Sequence, residues 1–134
     1  MKKIPISLFF ITAFTIFLFA QTSKPSTENG KKIYEQYCLS CHQADGSGVP
    51  KMNPPLIKTS YVTGDKKKLI QWVLQGSTEN IPIDGKTYSN NMPPQNYLKD
   101  EELADVLTYI RSSFGNKATA VTGAEVKAVR SVTK

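Results

Sequence analysis

The chain is 134 residues long and carries 17 basic against 11 acidic side chains, for a formal net charge of +6. That length holds one domain, and the basic excess is mild. No dense Lys/Arg stripe with interleaved aromatics occurs, so the charge does not call for nucleic acid.

In chain order, the first segment is set apart by composition. Lys2 and Lys3 precede an apolar run from Ile4 to Ala20 that contains five of the six phenylalanines. A charged start, an apolar stretch and a small residue at its end describe a secretory signal over residues 1–20. An uncleaved membrane anchor is the alternative, since the run is longer than a usual signal core and slightly short for a span. Both readings place the rest of the chain outside the cytoplasm, in a bacterial periplasm. Membrane attachment then depends on whether this segment is kept. Without it, fifteen basic residues face eleven acidic ones and the charge falls to +4.

Residues 21–27 read as a polar linker. A first helix is expected from Glu28 to Tyr37, with Ile33, Tyr34 and Tyr37 on one face. Gly30 within it costs roughly 1 kcal/mol relative to Ala, which points to close approach of another helix. Glycine and proline clusters make residues 44–55 a loop. Asp65 is a candidate N-cap for a helix carrying Leu69, Ile70, Val73 and Leu74 at helical spacing, and Gly76 ends it. Lys66, Lys67 and Lys68 read as a solvated face of this helix that helps steer an acidic partner. Residues 77–96 are loop again, with a turn at Asp84-Gly85 and Met92-Pro93-Pro94 near the end.

The last main helix has acidic residues at 100–102 on its first turn, where the helix dipole favours them. Leu103, Val106, Leu107, Ile110 and Phe114 form its apolar stripe, and Gly115-Asn116 stops it. Lys99 stands where a Ser or Thr cap is usual, so Asp100 is the expected cap. Thr122 to Glu125 has capping-box spacing and opens a short helix in the tail, residues 117–134. No run alternates, so strands are not expected and the domain, residues 28–116, reads as all-α.

Cys38-Leu39-Ser40-Cys41-His42 carries the chemistry. The C-x-x-C-H arrangement reads as covalent haem attachment. Two thiols three residues apart can each add across one vinyl group of a single haem to give thioether-linked haem c, and His42 is carried beneath the ring to the iron. The rival readings are weaker. With two Cys and one His in the chain, a zinc site would need a carboxylate as its fourth ligand. A thioredoxin-like pair needs a βαβ setting, and a plain disulfide leaves His42 a coincidence.

No other histidine exists, so bis-histidine ligation within one chain is excluded. Met1 lies in the signal, which leaves Met52 and Met92 as thioether ligands. Met52 comes ten residues after His42 on the same loop, and reaches the far face of the ring with difficulty. Met92 follows after a helix and a loop, with Pro93 and Pro94 stiffening the backbone behind it. Met92 is therefore the expected second ligand. The alternative is a loop methionine with the iron open or occupied by lysine. His/Met ligation raises the potential and saturates the iron, which suits electron transfer over oxygen chemistry.

Residues 28–116 resemble a class I bacterial cytochrome c. The match joins, in order, Gly30 and Tyr34, the Cys38–His42 motif, Pro54 and Leu56, the 69–76 helix, Tyr88 with Met92-Pro93, and the final helix. The resemblance implies a cytochrome c fold of three main helices plus short ones around one covalent haem. It implies that Gly30 and Tyr34 pack on the last helix near Val106 and Tyr109. It also implies that the Pro54 carbonyl accepts a hydrogen bond from His42 Nδ1–H, and that Tyr88 and, more weakly, Trp72 donate to haem propionates.

The expected function is single-electron transfer between redox proteins outside the cytoplasm, with no substrate transformed. Lys51, Lys86 and Lys99 are candidates for the docking surface. The segment around Ser113–Asn116 and the tail resemble cytochrome modules accompanying periplasmic dehydrogenases or copper reductases, and a terminal oxidase is a further candidate partner. Two alternatives stand: a subunit permanently held in such a complex, and a haem enzyme or gas binder with an open distal site.

Overall fold

Residues 23–78 and 82–133 of the computed structural model are described here; the segment read as an export signal lies outside them. Among these residues six helices form: α1 (Thr27–Tyr37), α2 (Leu39–His42), α3 (Ser60–Thr63), α4 (Lys66–Gln75), α5 (Asp100–Ser112) and α6 (Gly123–Val132). Three isolated bridges replace any sheet.

Four helices start on a side-chain oxygen that satisfies an otherwise orphaned amide. Ser26 Oγ accepts from Asn29 N at 3.2 Å, Thr59 Oγ1 from Val62 N at 3.3 Å, Asp65 Oδ1 from Lys68 N at 2.8 Å, and Thr122 Oγ1 from Glu125 N at 3.3 Å. Each cap contributes about 1 kcal/mol. Thr27, placed in the linker from sequence, is helical because Ser26 takes the cap. The cap expected at Asp100 does not form. Lys99 occupies that position, its backbone N–H donates to Glu102 Oε2 at 2.8 Å, and Asp100 is already helical. An ammonium cannot accept a hydrogen bond, so only this half of a capping box exists.

The crossing of α1 and α5 sets the architecture. A Cβ added to Gly30 would lie 2.1 Å from the Asp105 carbonyl oxygen and 2.8 Å from Tyr109 Cβ, so only glycine lets the backbones approach this closely. Beside it, Asp105 accepts from Ser26 N and Asn29 Nδ2, both at 2.6 Å, and latches the start of α1 onto α5. One turn on, Tyr34 is 1% exposed and packs its ring on Tyr109 and Phe114, with centroids 5.5 and 5.3 Å away. The face expected of α1 is thus formed by Gly30, Ile33 and Tyr34, whereas Tyr37 emerges at 39% exposure.

α6 lies against α5 and α4, and the core continues past residue 116 through Val121, Val126 and Val129, all buried. Thr108 Oγ1 accepts from Val121 N at 2.9 Å and donates to Val121 O at 3.0 Å. Lys66 reaches Ala120 O and pairs with Glu125, so it is not the freely solvated lysine its run suggested. Arg111, 2% exposed, is spent on carbonyls: Nε on Thr119 O at 2.7 Å and Nη1 on Val62 O at 2.6 Å. It joins α3 to the chain entering α6.

Gly30→Ala is expected to destabilise the protein by about 2 kcal/mol, as overpacking does, lowering the thermal midpoint by roughly 10 °C. Circular dichroism on heating measures this. An unchanged midpoint would contradict the helix contact described.

Candidate functional site

The C-terminal end of α1 delivers the motif. Cys38 N–H bonds Tyr34 O at 2.9 Å and closes that helix, and α2 begins at once, with His42 N–H on Cys38 O at 2.9 Å. Cys38 and Cys41 stand three residues apart, the spacing that puts side chains on one helical face, and His42 follows one position later. Gln43, at φ 64°, then turns the chain away, and Tyr34 Oη donates to its carbonyl at 2.6 Å. The end of α2 is thereby tied to the α1–α5 core.

His42 Nδ1 lies 3.0 Å from the Pro54 carbonyl oxygen. A carbonyl only accepts, so Nδ1 carries the proton and Nε2 keeps a free lone pair. Burial lowers the imidazole's pKa, partly opposed by the Pro54 bond, and favours a neutral, ligating ring. Cys38 and Cys41 are not joined in a disulfide. Burial, followed by the neighbouring Cys41, pushes the Cys38 thiol up to about 11.

These three residues line a cavity of ≈ 240 Å³ whose walls include Leu69, Val73, Leu98, Val106, Leu107 and Ile110. Met92 lines it too, brought by a separate segment. Ser77 and Met92 exchange backbone bonds, Ser77 N to Met92 O at 2.8 Å and Met92 N to Ser77 O at 3.1 Å. Gly76 makes this contact feasible: at φ +71°, a Cβ there would sit 2.4 Å from Met92 O. Ahead of Met92, Ser89 N and Asn90 N bond the carbonyls of Lys51 and Met52 at 2.9 and 3.0 Å. Met52 itself is 46% exposed and does not line the cavity.

Tyr88 and Trp72 both face the cavity, Trp72 with its ring edge-on to Tyr61 at 5.0 Å. Asn53 and Asn90 line it as a pair, Asn90 Nδ2 donating to Asn53 Oδ1 at 3.1 Å. No motif marked these two, because asparagine in a glycine- and proline-rich loop reads as turn chemistry. Lys51, Lys86 and Lys99 are exposed, and among the described residues no lysine lines the cavity. No cluster of His, Cys, Asp and Glu able to hold a bare metal ion occurs among them either. The donor set is one imidazole, one thioether and two thiols in an apolar cleft. It fits an iron porphyrin and suits neither zinc nor a hard cation.

Comparison with known proteins agrees with this donor set. The family model of cytochrome c matches residues 27–114. Cytochrome c-552 of Thermus thermophilus is 37% identical over 92 residues, covering 66% of this chain and 70% of that protein. The cytochrome c subunit of the quinone alcohol dehydrogenase of Gluconobacter oxydans is 32% identical over 96 residues, 71% of this chain but 20% of that subunit. The fructose dehydrogenase cytochrome subunit of Gluconobacter japonicus is 34% identical over 109 residues, 78% of this chain and 22% of its own length. A helical fold without strands among the described residues, a C-x-x-C-H motif opening onto an apolar cleft, and a family match over most of the chain lead to one conclusion: the protein belongs to the cytochrome c family and is an electron-transfer protein built around covalently bound haem c.

Proposed function

We propose that this chain is a monohaem electron carrier acting outside the cytoplasm, with His42 and Met92 as axial ligands and Cys38 and Cys41 as the points of covalent attachment. The haem supplies a one-electron Fe(III)/Fe(II) couple, and no bond is made or broken in a substrate. The residues of the chain do the rest. His42 offers Nε2 in a fixed orientation because Nδ1–H is held by Pro54 O at 3.0 Å, a bond that also raises ligand basicity. Met92 offers a soft thioether, the partner that raises the potential in His/Met sites. The apolar walls exclude water, which keeps the reorganisation around a change in iron charge small. Tyr88 is proposed as a donor to a propionate.

The observation that carries this reading is that His42 and Met92, fifty residues apart, reach one cleft together with both thiols, while Met52 stays outside it. The open-iron and lysine-ligated alternatives lose support for the same reason. Export is supported by the charged and apolar first twenty residues. Among the described residues no helix is long and apolar enough to cross a membrane. The partners are redox proteins. Similarity to cytochrome subunits of alcohol, fructose and gluconate dehydrogenases supports a second form of this reading, in which the chain stays bound to such an oxidoreductase. Co-purification from the native source separates the two forms: a lasting complex supports the subunit, a lone cytochrome the free carrier.

Two variants test the assignment. Met92→Ala is expected to abolish the weak far-red methionine–iron band of the ferric protein, lower the reduction potential and let the ferrous protein bind carbon monoxide. A variant with an unaltered spectrum would overturn the ligand. In a Cys38→Ala/Cys41→Ala double variant, haem is expected to be lost on acid–solvent extraction, whereas the parent keeps it. Equal retention in both would sink the attachment assignment.

A further inference from the structure

The C-terminal helix lies beyond the residues the family model matches, yet it reaches back to the segment that carries Met92. Arg130 on α6 makes three side-chain bonds. Nε donates to Asp100 Oδ1 at 2.7 Å, Nη1 to Asn96 O at 2.8 Å, and Nη2 to Leu98 O at 2.6 Å. Two of the three acceptors are backbone carbonyls four and six residues after Met92. The carboxylate that completes the set opens α5, so one guanidinium fastens the exit of the methionine segment to two helices.

The rest of that segment is held from the other side. Ser77 pairs with Met92, and Gln95 N bonds Val73 O at 2.9 Å. Gln95 Nε2 donates to Pro93 O at 3.0 Å, and Tyr97 Oη donates to Gln95 Oε1 at 2.6 Å. Leu98, 5% exposed, is a wall of the cleft. The strip from Met92 to Leu98 forms no helix, its one internal backbone bond being the turn from Leu98 N to Gln95 O at 3.3 Å, and it spans the gap between α4 and α5. Its shape is set by what holds its two ends. Ser77, just past α4, and Val73 on α4 hold the first end, and Arg130 holds the second together with the buried Leu98.

The helix that carries Arg130 is itself well anchored. Val126 and Val129 are buried in the core, Glu125 closes a capping box with Thr122 and pairs with Lys66, and α6 packs on both α4 and α5. Charge-assisted bonds to carbonyls are among the stronger ones in a protein. Two of the three bonds of Arg130 fall on this strip, and the third ties the guanidinium to the helix the strip runs into.

We propose that Arg130 is a positioning residue for Met92: the C-terminal helix acts as a brace that keeps the methionine segment closed on the iron. The inference rests on Met92 being the second iron ligand. A brace of this kind acts on the population of the state in which the thioether is off the iron. An external ligand such as imidazole binds the ferric iron only in that state, so its apparent affinity follows that population directly.

The test compares imidazole binding to the ferric, haem-loaded full chain in five forms: parent, Arg130→Gln, Arg130→Lys, Val129→Ala and Met92→Ala. Met92→Ala marks the affinity of an unprotected iron. Arg130→Gln is expected to tighten binding about tenfold, because a tenfold rise in the thioether-off population lowers the apparent dissociation constant tenfold. Its far-red band is expected to weaken in step. Arg130→Lys keeps the charge but cannot span three acceptors, and is expected to fall between the parent and Arg130→Gln. Val129→Ala loosens the same helix while leaving the guanidinium on its carbonyls, and is expected to stay within about twofold of the parent. If Arg130→Gln binds like the parent, or Val129→Ala matches Arg130→Gln, the brace is refuted and the helix only stabilises the fold. If the parent already binds imidazole as tightly as Met92→Ala, the ligand assignment fails and the brace with it. Should Arg130→Gln not accumulate, Asp100→Asn, which weakens only the Nε anchor, is expected to give a smaller tightening in the same assay, and none at all would count against the brace.

Discussion

The hydrogen bond between His42 Nδ1–H and the Pro54 carbonyl oxygen is the constraint on which the site depends. It selects one tautomer, points one lone pair, and fixes the plane of the ring that any iron at this cleft must meet. Making it takes two segments held in register. α2 must end at His42, which Tyr34 secures through the Gln43 carbonyl. The 44–56 loop must return, which Gly48 N on His42 O and Leu56 N on Gly46 O enforce at 3.0 and 2.8 Å. Behind both stands the close crossing of α1 and α5 at Gly30.

The second half of the site is built on a different principle. Met92 sits on irregular chain, and irregular chain has no internal ladder to give it a shape. Its geometry is borrowed: from α4 through Val73, from Ser77 just past the end of α4, from the 51–53 turn through Ser89 and Asn90, and from α6 through Arg130. A rigid histidine opposite a methionine whose support is assembled from distant elements divides the labour unequally. The proposed brace from α6 acts on the methionine side, where the support comes from distant elements.

Much of the architecture was legible from local pattern. The C-x-x-C-H motif lies within five residues, and its chemistry needs nothing distant to be read. Asp65 and Gly76 bound α4 as their chemistry dictates, and the stripe of α5 is the core it suggests. What escaped was set by partners far away in sequence. Asp100 was the expected cap because Lys99 stands where a Ser or Thr is usual, but its carboxylate belongs to Arg130, thirty residues on. Arg111 carried no signal in its local pattern, and is buried on carbonyls from α3 and the 117–120 linker. Asn116 looked like a stop signal, and also clamps Lys58 N and Leu56 O across nearly sixty residues. Tyr37 fitted the apolar face of α1 by spacing, but lies at the cleft's mouth against Tyr97. Periodicity records which face is apolar, and does not record where the core ends.

The claim at the centre of this account is that one imidazole and one thioether, His42 and Met92, share the iron. Proton NMR of the reduced protein with its methionine methyls isotopically labelled tests it most directly, because a methyl over the haem plane is displaced far upfield by the ring current. The account predicts one such methyl, lost in Met92→Leu and kept in Met52→Leu. No displaced methyl, or one that disappears with Met52 instead, would contradict it.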